Sequence, residues 1–224
     1  IDDFGGKALG QPIELLTADH QNKADIAASK AREWIDTQGA TMIFGGTNSG
    51  TALATAKVAQ EKKRVYINNG AASSALTNEQ CSPYTMHYAY DTVALAKGTG
   101  GAVVDTGGKT WFFLTSDYAF GHALEKDTST VVEAKGGKIV GAVRHPLNAS
   151  DFSSFLLQAQ NSKAQILGLA NAGGDTINIA ALLQGFTAAS VLTQFVQITT
   201  AGGNSTIRVD IDGAAWGWRI RNMT

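Results

Sequence analysis

Met42-Ile43-Phe44-Gly45-Gly46-Thr47-Asn48-Ser49-Gly50-Thr51-Ala52-Leu53 is the stretch on which the reading of this chain turns. A short apolar run passes through a loop of small and polar residues into an Ala-rich segment with helical spacing. A strand that feeds a helix in this way aims backbone N–H groups and a hydroxyl out of the carboxyl end of the strand. The positive end of the helix dipole adds to them, so the turn is suited to a carboxylate or a phosphate. Three local readings compete. A phosphate-binding P-loop has a lysine where Thr51 stands. A nucleophile elbow, Gly-x-Ser-x-Gly, would need its serine one place before Ser49. An ordinary strand-to-helix turn with Ser49 as N-cap needs nothing more.

Working outward, Pro12-Ile-Glu-Leu-Leu-Thr17 reads as a strand and Asp19-His-Gln-Asn22 as a polar loop at its end. Ala24 to Gln38 has helical spacing, with Ala27, Ala31, Trp34 and Ile35 on one face and Gly39 in the usual C′ place. A helix from about Thr51 to Glu61 leads through the charged corner Glu61-Lys-Lys-Arg64 to the strand Val65-Tyr-Ile67. That strand exits into a second small-and-polar loop, Asn68 to Ser74. A short strand lies within Tyr84–Tyr90, and Asp91 caps a helix running to about Asp105.

The same rhythm then returns. Trp111-Phe-Phe-Leu114 is an unbroken apolar strand, as expected where helices cover both faces of a sheet. Its exit loop, Ser116 to Gly121, opens a helix to Ala134 with Phe120, Leu124 and Val131 inward. A strand Ile139–Val143, a helix opened by Asp151 and a strand Gln165–Leu169 come next. Strands recur about every 27 residues, the mark of βα units in a parallel sheet. The fold class predicted is α/β, with two Rossmann-like lobes: residues 1–90 and residues 91–224. Ligands of such lobes lie at the carboxyl ends of the strands. No charged residue occurs from Thr176 through Ile207; Val191–Ile198 and the alternating Thr206–Asp212 are predicted strands.

Composition narrows the chemistry. The chain has 224 residues, 44% hydrophobic and 17% charged, with a formal net charge of −1 and no basic stripe, so nucleic acid and anionic membranes are poor partners. No run of apolar residues is long enough to span a bilayer, so direct membrane insertion is not expected. The single Cys81 forms no internal disulfide and excludes a cysteine-based metal cluster. His20, His87, His122 and His145 show no metal spacing, and no carboxylate pair sits in a catalytic motif. Asp91 and Asp151 read as helix caps. The loops at strand ends carry Ser, Thr, Asn and Gly, a composition for holding a ligand rather than transforming it. No enzyme activity, cofactor or metal is expected.

Five stretches carry a resemblance: Gly10-Gln-Pro-Ile-Glu-Leu, Phe44-Gly-Gly-Thr-Asn-Ser-Gly-Thr51, Ile67-Asn-Asn-Gly-Ala-Ala-Ser-Ser-Ala-Leu-Thr77, Ser116-Asp-Tyr-Ala-Phe-Gly121 and Asp151-Phe-Ser-Ser-Phe-Leu156. In order and spacing they resemble the substrate-binding proteins of branched-chain amino-acid-type ABC transporters, the leucine-binding-protein-like type I periplasmic fold. The resemblance covers roughly residues 5–176. It implies that a ligand carboxylate rests on groups matching Ser49, Gly70, Ala71 and Ala72. It implies that an aromatic residue matching Phe120 closes from the second lobe with Tyr118 nearby, and that the loop from Asn171 through Ala172 makes a further contact. Asn48 and Asn69 complete the contact set so implied. The family's Ser-Pro before the small run is Asn68-Asn69 here, its threonine is Ala72, and its Arg-Thr before the hinge aspartate is His87-Tyr88.

The resemblance further implies a periplasmic or extracytoplasmic monomer that delivers a small carboxylate-bearing ligand to an ABC permease by hinge closure. An amino acid, an amide or an aromatic acid would each fit. The alternative is the same fold used as a ligand-sensing regulatory or receptor domain. The family also begins with a strand between those matching 13–17 and 42–45, and residue 1 already falls inside the helix that succeeds it. The sequence thus predicts that these two strands stand roughly 9.5 Å apart, two strand spacings. The slot between them would be filled by residues outside the sequence or by Thr206–Asp212 folded back.

Overall fold

The computed structural model of the chain describes residues 1, 3, 5–171, 196–201 and 204–209. They divide into two compact units, one of residues 1–71 and 75–89, the other of 72–74 and 90 onward.

In the first unit, β1 (Lys7–Ala8) and β2 (Gln11–Pro12) form a minimal antiparallel hairpin. Its two turn residues, Leu9 and Gly10, both have positive φ, the backbone that a two-residue hairpin turn requires. Helix α1 (Ala24–Thr37) buries Ala27, Ala31 and Ile35 as the spacing predicts, and the chain leaves it through Gly39 at φ +69°. Strands β3 (Met42–Gly45), β4 (Val65–Asn68) and β5 (Thr85–His87) form a parallel sheet in the order β3-β4-β5. Helix α2 (Ser49–Lys62) lays Ala52, Thr55, Ala56 and Ala59 against this sheet and α1. The small side chains allow close approach, and Tyr66 fills the centre of the core. The charged corner is solvated as predicted: Glu61 pairs with Arg32 at 2.9 Å and Lys62 with Asp36 at 2.7 Å, both across to α1.

One strand expected from the sequence does not form. Residues 13–20 take no strand conformation, and Ile13 and Leu15 are exposed. Alternating apolar residues favour a strand only where a neighbouring strand takes up its N–H and C=O groups. Among the described residues, β3 pairs with β4 alone, and Met42 and Phe44 are exposed beside it. The expectation that the strand around Thr206 folds back into this sheet is not met either. Strand β10 (Asn204–Val209) pairs antiparallel with β9 (Val196–Ala201) in a sheet of two. The helix predicted near Thr176–Leu183 lies outside the described residues.

In the second unit, Asp91 caps a continuous helical stretch by accepting from the Ala94 N–H at 2.8 Å. The stretch comprises α3 (Thr92–Leu95), a π-turn over Ala96–Gly100 and α4 (Gly101–Asp105). Strands β6 (Thr110–Ser116), β7 (Lys138–His145) and β8 (Ile166–Ala170) form a parallel sheet in the order β7-β6-β8. Central β6 is buried on both faces. Trp111 and Phe113 pack with Val104 of α4 and Val132 of α5 (Ala119–Ala134) on one face. Leu114 packs with Phe152 and with Leu156 of α6 (Ser153–Ser162) on the other. The inward position on α5 is Val132 rather than the predicted Val131, a shift of one residue.

Candidate ligand-binding site

The carboxyl ends of β3 and β4 in the first unit are built from braced loops. Gly46 has φ +98°, and a Cβ there would run into the Tyr66 hydroxyl and stand 2.7 Å from Asn68 Oδ1. Only glycine satisfies both the backbone and the space. The Gly46 carbonyl accepts from the Ala71 N–H at 2.6 Å, and the Gly45 carbonyl from the Asn69 N–H at 3.3 Å. The Tyr66 hydroxyl donates to the Gly45 carbonyl at 3.2 Å, and burial pushes its phenol far above the usual range.

Asn68, fully buried, folds the second loop on itself. Its Nδ2 donates to the Ala71 carbonyl at 2.7 Å, and its Oδ1 accepts from the Ala71 N–H at 3.1 Å. His87 Nε2 reaches the same carbonyl at 2.8 Å; a carbonyl only accepts, so this nitrogen carries a proton. The Ala71 N–H is therefore engaged within the loop, and Ala71 acts as the brace that presents its neighbours. Asn69 and Gly70 are exposed on the same loop. At the start of α2 the N-cap is Asn48, not Ser49: Asn48 Oδ1 accepts from the Thr51 N–H at 3.2 Å. Ser49, one per cent exposed, is the first residue of the helix. The sequence points to Asn69 and not to Asn68 or His87, because burial, not residue type, separates the loop's organisers from its exposed surface.

In the second unit, Ala72 is buried and its carbonyl accepts from the Thr92 N–H at 2.9 Å. Ser74 Oγ and Thr92 Oγ1 both donate to Asp127 Oδ2 of α5, at 2.7 and 2.6 Å. The Ser74 N–H donates to Thr92 Oγ1 at 3.1 Å, which closes the ring. One carboxylate thus fixes segment 72–74 and the start of α3 together.

The carboxyl ends of the second sheet bring together other predicted residues. Tyr118 precedes α5 and Phe120 lies in its first turn, with ring centroids 6.0 Å apart. Phe120 is buried and Tyr118 half-buried. Gly121 sits against the Ser116 carbonyl so closely that a Cβ would collide with it. This packs the helix start onto the end of β6. His122, expected at the surface, pairs with Asp117 at 2.7 Å. Asn171 comes directly after β8, and its amide oxygen lies 3.1 Å from Ser116 Oγ and 2.9 Å from His145 Nε2. Sequence spacing weighs His145 only as a metal ligand; its place at the end of β7 comes from the fold. Ala172 lies outside the described residues.

Among the described residues no group of His, Cys, Asp or Glu could hold a metal ion, and no helix is long and apolar enough to cross a membrane.

The sequence matches the family model described as "Periplasmic binding protein" over residues 1–209. The chain belongs to the periplasmic binding protein family. Its type I fold, two parallel sheets with helices on their faces, is that of solved family members. The chain is similar to a periplasmic binding protein from Burkholderia mallei, with 71% identity over 82% of this chain and a TM-score of 0.77. It is also similar to a branched chain amino acid ABC transporter periplasmic ligand-binding protein from Burkholderia xenovorans, with 39% identity over 85% of the chain and a TM-score of 0.64. A third is the solute binding protein of an ABC transporter from Rhodopseudomonas palustris, in complex with 3,4-dihydroxybenzoic acid, at 28% identity over 77% of the chain and a TM-score of 0.68. The present periplasmic binding protein chain spans about half of each of these, 49%, 51% and 47% of their lengths.

Proposed function

We propose that this chain is the ligand-holding part of an extracytoplasmic solute-binding protein that captures a small carboxylate-bearing molecule for an ABC permease. The observation that carries the reading is the construction of the strand ends. Two parallel sheets both end in loops of Ser, Asn, Gly and Ala, braced by their own hydrogen bonds, beside the start of a long helix. Such loops hold an anion through backbone N–H groups and hydroxyls without offering a nucleophile or a general base.

In this reading Asn48, Ser49, Asn69, Gly70 and Ala72 make the carboxylate seat, and Ala71 shapes it. Tyr118 and Phe120 close an apolar lid, and Asn171 and Ala172 contact the rest of the ligand. The two units close on the ligand by hinge motion, so bound ligand stabilises the closed form. The names of related proteins, one mentioning branched chain amino acids and one a hydroxylated benzoic acid, support amino acids and aromatic acids as the classes to screen. The test is isothermal titration calorimetry of the chain against amino acids, amides and aromatic acids. Saturable binding of one class, with no change in the ligand recovered afterwards, supports the reading; turnover or no binding contradicts it.

A further inference from the structure

His145 ends β7 and is fully buried, edge-on to Phe152 at 4.8 Å and to Phe155 at 6.1 Å between ring centroids. Its Nδ1 lies 2.9 Å from the Pro146 carbonyl oxygen. A carbonyl only accepts, so Nδ1 carries a proton. A neutral imidazole has no second N–H, which leaves Nε2 as a bare acceptor. Among the described residues no carboxylate touches the ring, so a charged ring would be buried without a counter-ion.

Two groups meet Nε2: Ser116 Oγ at 3.3 Å and the Asn171 side-chain amide at 2.9 Å. As placed, the amide turns its oxygen to the ring, which sets two acceptors against each other. The oxygen and nitrogen of an amide exchange places by a half-turn with little change in shape, and the hydrogen-bond network decides between them. Here the network decides for the half-turn. The NH2 then donates one hydrogen to His145 Nε2 and the other toward Ser116 Oγ, 3.1 Å away. The outer atom of the amide is buried and has no hydrogen-bond partner among the described residues. After the half-turn that atom is the carbonyl oxygen.

We propose that His145 and Ser116 are positioning residues that hold Asn171 with its carbonyl outward, so that the site selects a carboxylate whose other end donates a hydrogen bond. An ammonium or a hydroxyl group meets this requirement; a bare hydrocarbon does not. The selection rests on the functional reading above, whereas the orientation of the amide rests on the buried cluster alone.

The experiment has two arms on the full chain. Nitrogen-detected NMR of the histidine rings at neutral pH reads the tautomer without any ligand. The expected result is a protonated Nδ1 and a bare Nε2 for His145; a protonated Nε2 overturns the orientation. Calorimetry then compares matched pairs, 4-hydroxybenzoate with benzoate and leucine with 4-methylpentanoate. The donor-bearing member of a bound pair is expected to bind roughly 5- to 100-fold tighter, the range that an unpaired buried acceptor costs. Asn171→Leu should bring that ratio close to one. His145→Phe, which keeps the aromatic contacts but frees the amide, should reduce it while Asn171 is still present. Binding without preference, or a ratio unchanged in His145→Phe, overturns the selection alone. Failure of every member of both pairs to bind overturns the functional reading, and the selection with it.

Discussion

Asn68 grips Ala71 through both of its peptide groups, donating to its carbonyl at 2.7 Å and accepting from its N–H at 3.1 Å. A single buried amide thereby sets the shape of the loop that begins with the exposed Asn69 and Gly70. Asn68→Asp keeps the acceptor but places a carboxylate against the Ala71 carbonyl, and Asn68→Ala leaves both peptide groups short of a partner. Each should lower stability by about 1–3 kcal/mol in chemical denaturation. Each should also weaken ligand binding, because the loop loses its fixed form.

Gly46→Ala should be among the most destabilising single changes in the first unit. It forces φ +98° on a side-chain-bearing residue and drives a methyl into the Tyr66 hydroxyl. Adding Tyr66→Phe removes the struck oxygen and should recover part of the loss. A double-mutant cycle on the denaturation free energies checks this, with a coupling of about 0.5–3 kcal/mol expected for residues in contact.

Asn48 and Ser49 are neighbours with separable roles. Asn48→Ala removes the cap on Thr51 and should cost about 1 kcal/mol of stability. Ser49→Ala should leave the cap intact and weaken ligand affinity about tenfold or more, the worth of a charge-assisted hydrogen bond. Melting curves and calorimetry on the two variants should therefore move in opposite proportions.

Much of this architecture can be read from the residues. The recurring apolar runs at Met42, Val65, Trp111 and Ile139 mark parallel strands because helices cover the sheet, and Gly39 and Asp91 mark helix ends through backbone geometry and capping. Ile13 and Leu15 mislead for a physical reason: alternation describes a strand's faces but does not supply a partner for its edges. Sequence alone places the N-cap of α2 one residue late, because serine and asparagine are equally able caps and only the turn selects between them. His145 carries no local signal, since its meaning comes from Ser116 and Asn171, which the fold brings to it from 29 and 26 residues away.

Asp151 provides a pH test. Hydrogen bonds from Ser153, side chain first and then backbone, hold its carboxyl below the usual carboxylate range. A depressed folded value means that its contribution is present above the unfolded pKa and lost as pH falls through the folded one. Stability measured across that acid range should fall less steeply in Asp151→Asn than in the parent chain.

The most direct test of carboxylate binding is a thermal melt of the chain with and without a carboxylate found by the screen. At 100 times its dissociation constant, a ligand that binds only the folded state adds about 2.7 kcal/mol, a rise of several degrees in Tm for a chain of this size. That rise is expected for an amino acid or aromatic acid, and its loss is expected when the carboxylate is replaced by the corresponding alcohol. An unchanged Tm across the whole set, or an equal rise with the alcohol, would contradict carboxylate capture by this chain.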